Sequence, residues 1–354
     1  MSKEKVISES VDLLKAMIEI PSLSREEKNV TDFLEDKLSE WGLKVTRSRN
    51  NIWVRNANWS EGKPVILFNS HVDTVRSGKG WTYDPFKATV EGDRLTGLGS
   101  NDAGASVVAL LGAFRYFYNA ENLSYNLLYC ASAEEEISGE NGVASVLDQL
   151  GEIDLAIVGE PTQMHIAIAE KGLIVLDCEA KGRAGHAARN EGDNAIYKAI
   201  KDIQILQQYR FPLESPMLGP VKMTVTQIEA GNQHNVVPDS CRFVVDVRTN
   251  EFYSNDEVFH KIADLVESEV KPRSFRLNSS GISPDHPLVK RGISMGLTTY
   301  GSPTTSDQAV IPYPSIKMGP GDSARSHTAD EYILISEISA GIETYIKLLD
   351  GLKF

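Results

Sequence analysis

Apolar and polar positions along the first half of the chain predict helices and strands in alternation. Apolar residues recur three and four apart over 6–18 and 30–38, which is typical of amphipathic helices, and Gly42 suits a helix C-terminus. A further helix is predicted at 103–118, and short apolar runs predict strands at 44–46, 52–55, 65–69, 127–133 and 155–158. This alternation predicts an α/β fold with a largely parallel sheet.

The pattern changes near residue 172. The periodicity predicts a strand, a helix, two strands, a helix and a strand, at 172–181, 193–209, 221–229, 240–247, 256–269 and 273–277. This βαββαβ order is typical of a ferredoxin-like unit. From residue 284 the earlier character returns and ends on an amphipathic helix at 334–349. We therefore expect a discontinuous first domain, 1–171 and 281–354, interrupted by an inserted domain, 172–280.

Composition narrows the possible partners. The 354 residues are 41% hydrophobic and carry a net charge of −13, which argues against nucleic acid and anionic membranes as partners. No run approaches the ~20 apolar residues of a membrane span, and the first residues lack the apolar core of a secretory signal, so we expect a cytoplasmic protein. Cys130, Cys178 and Cys241 lie far apart in apolar surroundings that suit small buried side chains.

Polar side chains follow the predicted strands of the first domain. Each has an ordinary structural explanation when taken alone, such as a helix cap, an acidic loop or a structural ion pair. These residues are His71, Asp73, Asp102, Glu134 to Glu136, Glu160 and, before the last helix, His327. Ligands of open α/β sheets bind beyond the carboxyl ends of the strands, so we expect these groups to converge.

The donor set predicts a metal site. Two histidines, Asp102, Glu160, and either Glu135 or Glu136, with no cysteine, suit zinc, cobalt or manganese. If one carboxylate bridges two ions ~3.5–4 Å apart, each ion receives a histidine, a shared oxygen and a carboxylate of its own. The residues alone therefore predict a two-metal hydrolase centre.

Eight motifs in this order resemble the dinuclear zinc aminoacylase and carboxypeptidase family, which contains acetylornithine deacetylase and succinyl-diaminopimelate desuccinylase. The resemblance implies a zinc-exopeptidase-like catalytic domain (1–171 and 281–354) with an inserted ferredoxin-like lid and dimerisation domain (172–280). The motifs are Ile20-Pro21-Ser22, His71-Val72-Asp73-Thr74-Val75, Trp81 to Phe86, Ala133 to Glu136, Gly159-Glu160-Pro161-Thr162, Gly185-His186, Asn235 to Asp239 and His327 to Glu331.

The resemblance implies a ligand for each metal position. Asp102 would bridge two ions, zinc or cobalt; His71 and Glu160 would complete the first, and Glu136 and His327 the second. These assignments follow the family motif and the register of its acid-Glu-Glu sequence.

The resemblance also implies catalytic and substrate-binding residues. Glu135 would be the general base, Asp73 would support His71, and His186 of the opposite subunit would stabilise the oxyanion. Asn235 and Arg248 match positions that bind substrate; Arg248 suits a carboxylate, although a structural salt bridge is an equal alternative.

Two stretches depart from the family pattern. Relatives usually have Asp-x-Lys-Gly where this chain has Asp102-Ala103-Gly104-Ala105, and His-Ser-Ser where it has His186-Ala187-Ala188. Neither departure removes a metal ligand. The family also implies a cis peptide bond at Asp102-Ala103 and makes Glu134 the outlying, most replaceable acid of its triplet.

The function expected from these features is a homodimeric, metal-dependent deacylase acting on a small N-acyl amino acid. N-acetylornithine or N-succinylornithine is the leading substrate, which implies arginine biosynthesis. N-succinyl-diaminopimelate, N-acetyl-lysine and small dipeptides remain alternatives, as does a catalytically silent binding protein on the same fold. A two-metal phosphoesterase is disfavoured because the chain shows no basic cluster to hold phosphate.

Overall fold

The computed structural model describes residues 1–353 as two compact units built from helices and strands. The helices are α1 (Lys3–Ile18), α2 (Lys28–Glu40), α3 (Ala105–Phe117), α4 (Leu147–Leu150), α5 (Ala195–Gln208), α6 (Asn255–Leu265), α7 (Pro287–Ser294) and α8 (Ile335–Leu349). The strands are β1 (Val45–Ser48), β2 (Asn51–Arg55), β3 (Val65–His71), β4 (Thr89–Glu91), β5 (Arg94–Thr96), β6 (Asn126–Ser132), β7 (Leu155–Val158), β8 (Ile166–Glu170), β9 (Gly172–Lys181), β10 (Gly185–His186), β11 (Lys222–Ala230), β12 (Val236–Val237), β13 (Ser240–Thr249), β14 (Glu269–Pro272), β15 (Ser280–Gly281), β16 (Thr299–Ser302), β17 (Ser315–Lys317) and β18 (Tyr332–Leu334).

The chain passes from one unit to the other four times. The first unit comprises Met1–Ile168, Gly281–Tyr300 and the residues from Ser306 onward, and the second comprises Ala169–Ser280 and Gly301–Thr305.

The first unit is organised around a mixed sheet whose centre is parallel. Its strands lie in the order β1-β2-β6-β3-β7-β17-β8. The neighbours β6, β3, β7 and β17 run parallel, whereas β2 and β8 join them antiparallel. All residues of β3 and β6 are buried, as expected for central strands covered on both faces. The predicted α/β fold with a largely parallel core is confirmed.

Helix α3 packs against α1 and α8 beside this sheet. It is buried almost all round, which its apolar sequence allows. At Gly112 a side chain would place its Cβ 2.9 Å from Ser10 Oγ, 3.1 Å from a Val6 methyl and 3.0 Å from an Ile342 methyl. A glycine here therefore lets three helices approach closely, because any Cβ would push α1 or α8 away.

The second unit has the predicted ferredoxin-like order β9-α5-β11-β13-α6-β14. Its antiparallel sheet runs β11-β13-β9-β14, and apolar residues of the sheet and of both helices form one core. Asn194 caps α5, and Ser254 with Glu257 forms a capping box on α6. These caps explain why both helices begin within two residues of their predicted starts.

The last strand of this unit corrects the sequence-based expectation. We predicted a strand at 273–277, but β14 is Glu269–Pro272, because α6 ends at Leu265 and Val266 is already extended. The shift allows Val270 to pair with Cys178 of β9 and to pack on the core. Among the described residues, no helix has the length and apolarity required to cross a bilayer.

Candidate metal centre

Three neighbouring strands deliver acidic and imidazole side chains to one edge of the first unit's sheet. His71 is the last residue of β3, Glu135 and Glu136 follow the end of β6, and Glu160 follows the end of β7. Because β6, β3 and β7 are adjacent and parallel, their carboxyl ends meet at the same edge. The convergence expected from the sequence is present in the structure.

Asp102 lies between two imidazole rings. Its Oδ1 is 3.3 Å from His71 Nε2, and its Oδ2 is 3.6 Å from His327 Nε2. His327 Nε2 also lies 3.0 Å from Glu136 Oε2. Each oxygen of one carboxylate thus faces a different histidine, which is the arrangement that a carboxylate shared by two cations requires.

The remaining carboxylates lie near the same nitrogen of His71. Its Nε2 is 3.7 Å from Glu160 Oε1 and 3.8 Å from Glu135 Oε2. Donor atoms within 4.8 Å of one another form two groups that share this histidine: His71 with Asp102 and Glu136, and His71 with Glu135 and Glu160. The structure therefore brings together all of the predicted metal-binding residues and the predicted base.

The backbone of Asp73 orients the His71 ring. His71 Nδ1 donates a hydrogen bond to the Asp73 carbonyl oxygen at 3.0 Å, and the Asp73 carboxylate is slightly farther, at 3.4 Å. This tautomer directs the lone pair of Nε2 toward Asp102 and Glu160. The support for His71 expected from Asp73 thus comes largely from its main chain.

The Asp73 carboxylate holds the glutamate triplet instead. Its Oδ1 accepts the N–H of Glu135 at 3.0 Å, and its Oδ2 accepts the N–H of Glu136 at 3.1 Å and the hydroxyl of Ser24 at 2.7 Å. Although burial opposes ionisation, the nearby His71 ring and the hydrogen bond from Ser24 hold the pKa of Asp73 below its ordinary value. Ser24 lies two residues after the motif Ile20-Pro21-Ser22, and no pattern in the sequence marked it as part of the site.

Glu134 is not the outlying acid that we expected. It is buried with φ 57°, and its carboxylate accepts hydrogen bonds from Asn141 Nδ2 at 2.9 Å and from Asn141 N at 3.2 Å. Its own N–H donates to Glu27 at 3.2 Å. The triplet turns sharply here, so Glu134 points into the protein while Glu135 and Glu136 point into the site.

A second buried carboxylate, missed at the level of sequence, holds the turn that carries Asp102. Glu331 accepts the backbone N–H of Asn101 and Asp102 at 2.9 Å each and that of Gly99 at 3.2 Å. Burial raises the pKa of Glu331 to about 7 against the opposing effect of these donors. The peptide bond Asp102-Ala103 is cis, as the resemblance implied.

The crowding of carboxylates perturbs their protonation. Burial, with the nearby charge of Asp102, raises the pKa of Glu160 to about 8, and burial raises the pKa of Glu135 well above its ordinary value. The pKa of His327 is raised to about 9, first by its hydrogen bond with Glu136. Burial lowers the pKa of His71, but the charges and hydrogen bonds of the surrounding carboxylates, Glu135 first, together raise it by more. The pKa of this ring therefore lies well above its usual range.

This chemistry fits divalent cations. Glu160 Oε1 is buried and has no hydrogen-bond partner among residues 1–353, although burying an unsatisfied oxygen is costly. Several carboxylates and two imidazoles would all be satisfied by cations that replace their protons. The residues present therefore fit a dinuclear site of oxygen and nitrogen ligands.

The other predicted residues lie in the second unit. His186 in β10 is exposed and pairs with Val236 in β12, and Ala187 N donates to the carbonyl of Asn235 at 2.9 Å. Arg248 makes two hydrogen bonds to Asp246, at 2.8 and 3.0 Å. The structure thus brings His186 and Asn235 together and gives Arg248 the salt bridge that was its alternative.

Comparison with known proteins shows the family to which the chain belongs. The chain is 27% identical to a succinyl-diaminopimelate desuccinylase of Dinoroseobacter shibae, over 97% of this chain and 99% of the relative. It is 28% identical to a [LysW]-lysine/[LysW]-ornithine hydrolase of Sulfurisphaera tokodaii, over 96% of this chain and 95% of the relative. A dinuclear metal-binding M20 peptidase of Bacillus subtilis superposes with TM-score 0.74 at 16% identity, covering 98% of each chain, which confirms the zinc-exopeptidase-like fold. The model of peptidase family M20/M25/M40 matches residues 67–351, so the resemblance is confirmed and the chain belongs to this family of metal-dependent amide hydrolases.

Proposed function

We propose that the protein hydrolyses the amide bond of an N-acyl diamino acid. The position of Asp102 between His71 and His327 carries this proposal, because it offers one oxygen to each of two cations. Diaminopimelate, lysine and ornithine, the amino acids in the names of the relatives described above, each carry a second amino group. A net charge of −13 suits a substrate with a cationic side chain.

In this proposal the metal ligands are those implied by the resemblance. Asp102 would bridge two ions, zinc or cobalt; His71 and Glu160 would hold one of them, and Glu136 and His327 would hold the other. Two such ions would lower the pKa of a water molecule and polarise the amide carbonyl. The contacts of Glu136 with His327 and of Glu160 with His71 support this division.

Glu135 moves the proton. Its Oε2 is 3.8 Å from His71 Nε2, and the hydrogen bond from its N–H to Asp73 fixes its backbone. We assign it as the group that accepts a proton from the attacking water and later donates it to the nitrogen of the leaving amine. Its place beside the candidate metal ligands His71 and Glu136 suits a carboxyl that takes up and returns a proton.

We assign the second unit a role as lid and dimerisation domain, as the resemblance implies. Strand β11 is an edge strand with largely exposed residues, including Ile228, and Tyr197 on α5 is also exposed. An unprotected edge with apolar side chains is suited to pairing with a second copy. In such a dimer His186 would act on the site of the partner, and Asn235 and Arg248 would bind substrate.

Substrate class is tested by side-by-side kinetics of the metal-loaded protein. N-acetylornithine, N-succinylornithine, N-succinyl-diaminopimelate and N-acetyl-lysine would be compared with N-acetyl-leucine and dipeptides, and amine release would be measured. We expect the highest kcat/KM for an N-acyl diamino acid, above the values for N-acetyl-leucine and dipeptides. Among the diamino acids, we expect an ornithine derivative to have the highest value. Turnover of dipeptides alone would contradict the substrate class, and no turnover in a fully metallated protein would favour a silent binding protein. Glu135→Gln is the matched inactive control.

The dimer is tested by complementation. We expect a mixture of Glu135→Gln and His186→Ala subunits to regain up to about a quarter of wild-type activity, since half of randomly exchanged dimers would contain one intact site. Ile228→Glu on the edge strand should reduce dimerisation in sedimentation measurements. If His186→Ala alone retains activity, or if mixing restores nothing, the trans role is wrong. A role in cytoplasmic arginine biosynthesis stays a prediction.

A further inference from the structure

A buried carboxylate outside the ligand set lies beneath the metal centre. Asp307 begins a short 3-10 turn, Asp307–Val310, and is 7% exposed. Its Oδ2 accepts two hydrogen bonds, from Asn69 Nδ2 at 2.8 Å and from Ser132 Oγ at 2.7 Å. Both donors are fully buried, and Asp307 belongs to neither group of candidate metal ligands.

The two donors stand at the ends of the strands that support the site. Asn69 is two residues before His71 in β3, and Ser132 is the last residue of β6, three before Glu135. In the parallel register of these strands His71 lies opposite Ser132. A single oxygen of Asp307 therefore joins the two strand ends from which a ligand and the base extend.

The hydrogen bonds of Asp307 restrict the movement of Asn69 and Ser132. A hydrogen bond to an ionised carboxylate is stronger than one between neutral groups. Moving a donor away from a buried carboxylate costs free energy because the charge is then left without a partner. Burial raises the pKa of Asp307, while the hydrogen bonds from Ser132 and Asn69 oppose that rise. Asn69 Oδ1 has no partner within the described part of the chain, so the Asn69 side chain is oriented by Asp307 rather than by competing bonds.

We propose that Asp307 is a positioning residue of the metal centre, which holds the ends of β3 and β6 together so that His71 and Glu135 keep their spacing. The proposal rests on the proposed function for the role of Glu135. Its effect on His71, however, is open to measurement without any substrate.

The test compares Asp307→Ala with Asp307→Asn. The asparagine retains one oxygen that can accept both hydrogen bonds, whereas alanine accepts neither. Asp202→Asn is the matched control, because Asp202 is a buried carboxylate of the second unit that accepts hydrogen bonds from Ser268 N and Oγ at 2.8 and 2.6 Å. For each variant, Zn²⁺ affinity would be measured by chelator competition on the metal-free protein, together with kcat, KM and Tm.

We expect Asp307→Ala to lower Zn²⁺ affinity and kcat by about 10- to 100-fold, the usual effect of removing a group that orients metal ligands, with little change in KM. Asp307→Asn should recover most of both losses, and Asp202→Asn should change Tm without changing Zn²⁺ affinity. Unchanged Zn²⁺ affinity and kcat in Asp307→Ala, or an asparagine variant no better than the alanine variant, would overturn the proposal.

Two further variants keep the test decisive if Asp307→Ala does not fold. Ser132→Ala and Asn69→Ala each remove one donor and leave the carboxylate, so each should lower Zn²⁺ affinity, by less than Asp307→Ala would. Wild-type affinity in both would overturn the proposal. Because affinity is read without substrate, the absence of deacylase activity in the wild type would count against the proposed function and not against the role of Asp307 toward His71.

Discussion

Replacing Asp73 with asparagine exchanges one carboxylate oxygen for an amino group where both oxygens are in use. Oδ1 accepts the N–H of Glu135, and Oδ2 accepts the N–H of Glu136 and the hydroxyl of Ser24. Whichever way the new amide lies, its amino group faces a backbone N–H of the glutamate pair. At least two buried donors are then left without an acceptor.

The magnitude follows from those two donors. Each unsatisfied buried donor costs about 1–3 kcal/mol, so Asp73→Asn should lose roughly 2–6 kcal/mol, shared between folding stability and the placement of Glu135 and Glu136. A displacement of about 1 Å at a catalytic group can cost ~100-fold in rate. We therefore expect a folded protein with lowered Tm and kcat reduced by about 100-fold.

Metal binding should respond less than turnover. The hydrogen bond that orients His71 goes to the backbone carbonyl of Asp73, at 3.0 Å, and survives the substitution. The assay is kcat, Tm and metal content of the metal-loaded variant, with Ser24→Ala as control because it removes one donor and leaves the carboxylate satisfied by the other two. Wild-type kcat and Tm in Asp73→Asn would show that the Asp73 carboxylate does not hold Glu135 and Glu136 in place. Complete loss of metal with no loss of stability would contradict this role as well.

Three further predictions follow from the site. Glu135→Gln should keep its metal and lose about 10²–10⁴-fold in kcat. Glu134→Gln should keep kcat within a few-fold and lose about 1–3 kcal/mol of stability, because the new amino group would face a donor of Asn141. Kinetics and urea unfolding of the two variants test this. Gly104→Ala should lower both metal affinity and Tm. Its Cβ would lie 2.5 Å from the Gly99 carbonyl oxygen, across the turn that carries Asp102. Unchanged metal affinity would contradict this prediction. Chelation should abolish turnover. Restoring zinc or cobalt at ~100 times its Kd should raise the free energy of unfolding by about 2.7 kcal/mol, measured as a shift in Tm. Activity that survives complete metal removal would contradict a metal-dependent mechanism.

The sequence predicted the parts of the site that depend on local order. Buried strands end at His71 and shortly before the glutamate triplet. The apolar runs in the sequence have clear ends there, so the strand ends could be predicted. The roles of Asp102 and Glu160 came from a family motif, since each has an ordinary local explanation. The type of the long elements was predictable, whereas β14 was misplaced and short strands such as β10 and β12 were not predicted, because short strands carry little periodic signal.

What the sequence could not predict depends on contacts between distant positions. Glu134, Glu135 and Glu136 are chemically equal in the sequence, and only the turn at φ 57° shows that the first points inward. The Asp73 carboxylate is partnered by backbone N–H groups 62 and 63 residues away, which leave no mark on composition or spacing. Tertiary hydrogen bonds of this kind decide which acid has which role.

The first unit depends on chain segments that are made at very different times. Glu136 and His327 are 191 residues apart, and Glu331 lies 229 residues beyond Asp102, whose turn it holds. At about 5–20 residues per second, a ribosome would need roughly 10–40 s to advance from one half of the Glu136 and His327 pair to the other. During that interval the nascent chain would carry a cluster of carboxylates with neither its second imidazole nor the clamp on its bridging turn. The ion assigned to Glu136 and His327 therefore cannot gain all of its ligands until the C-terminal segment has been translated.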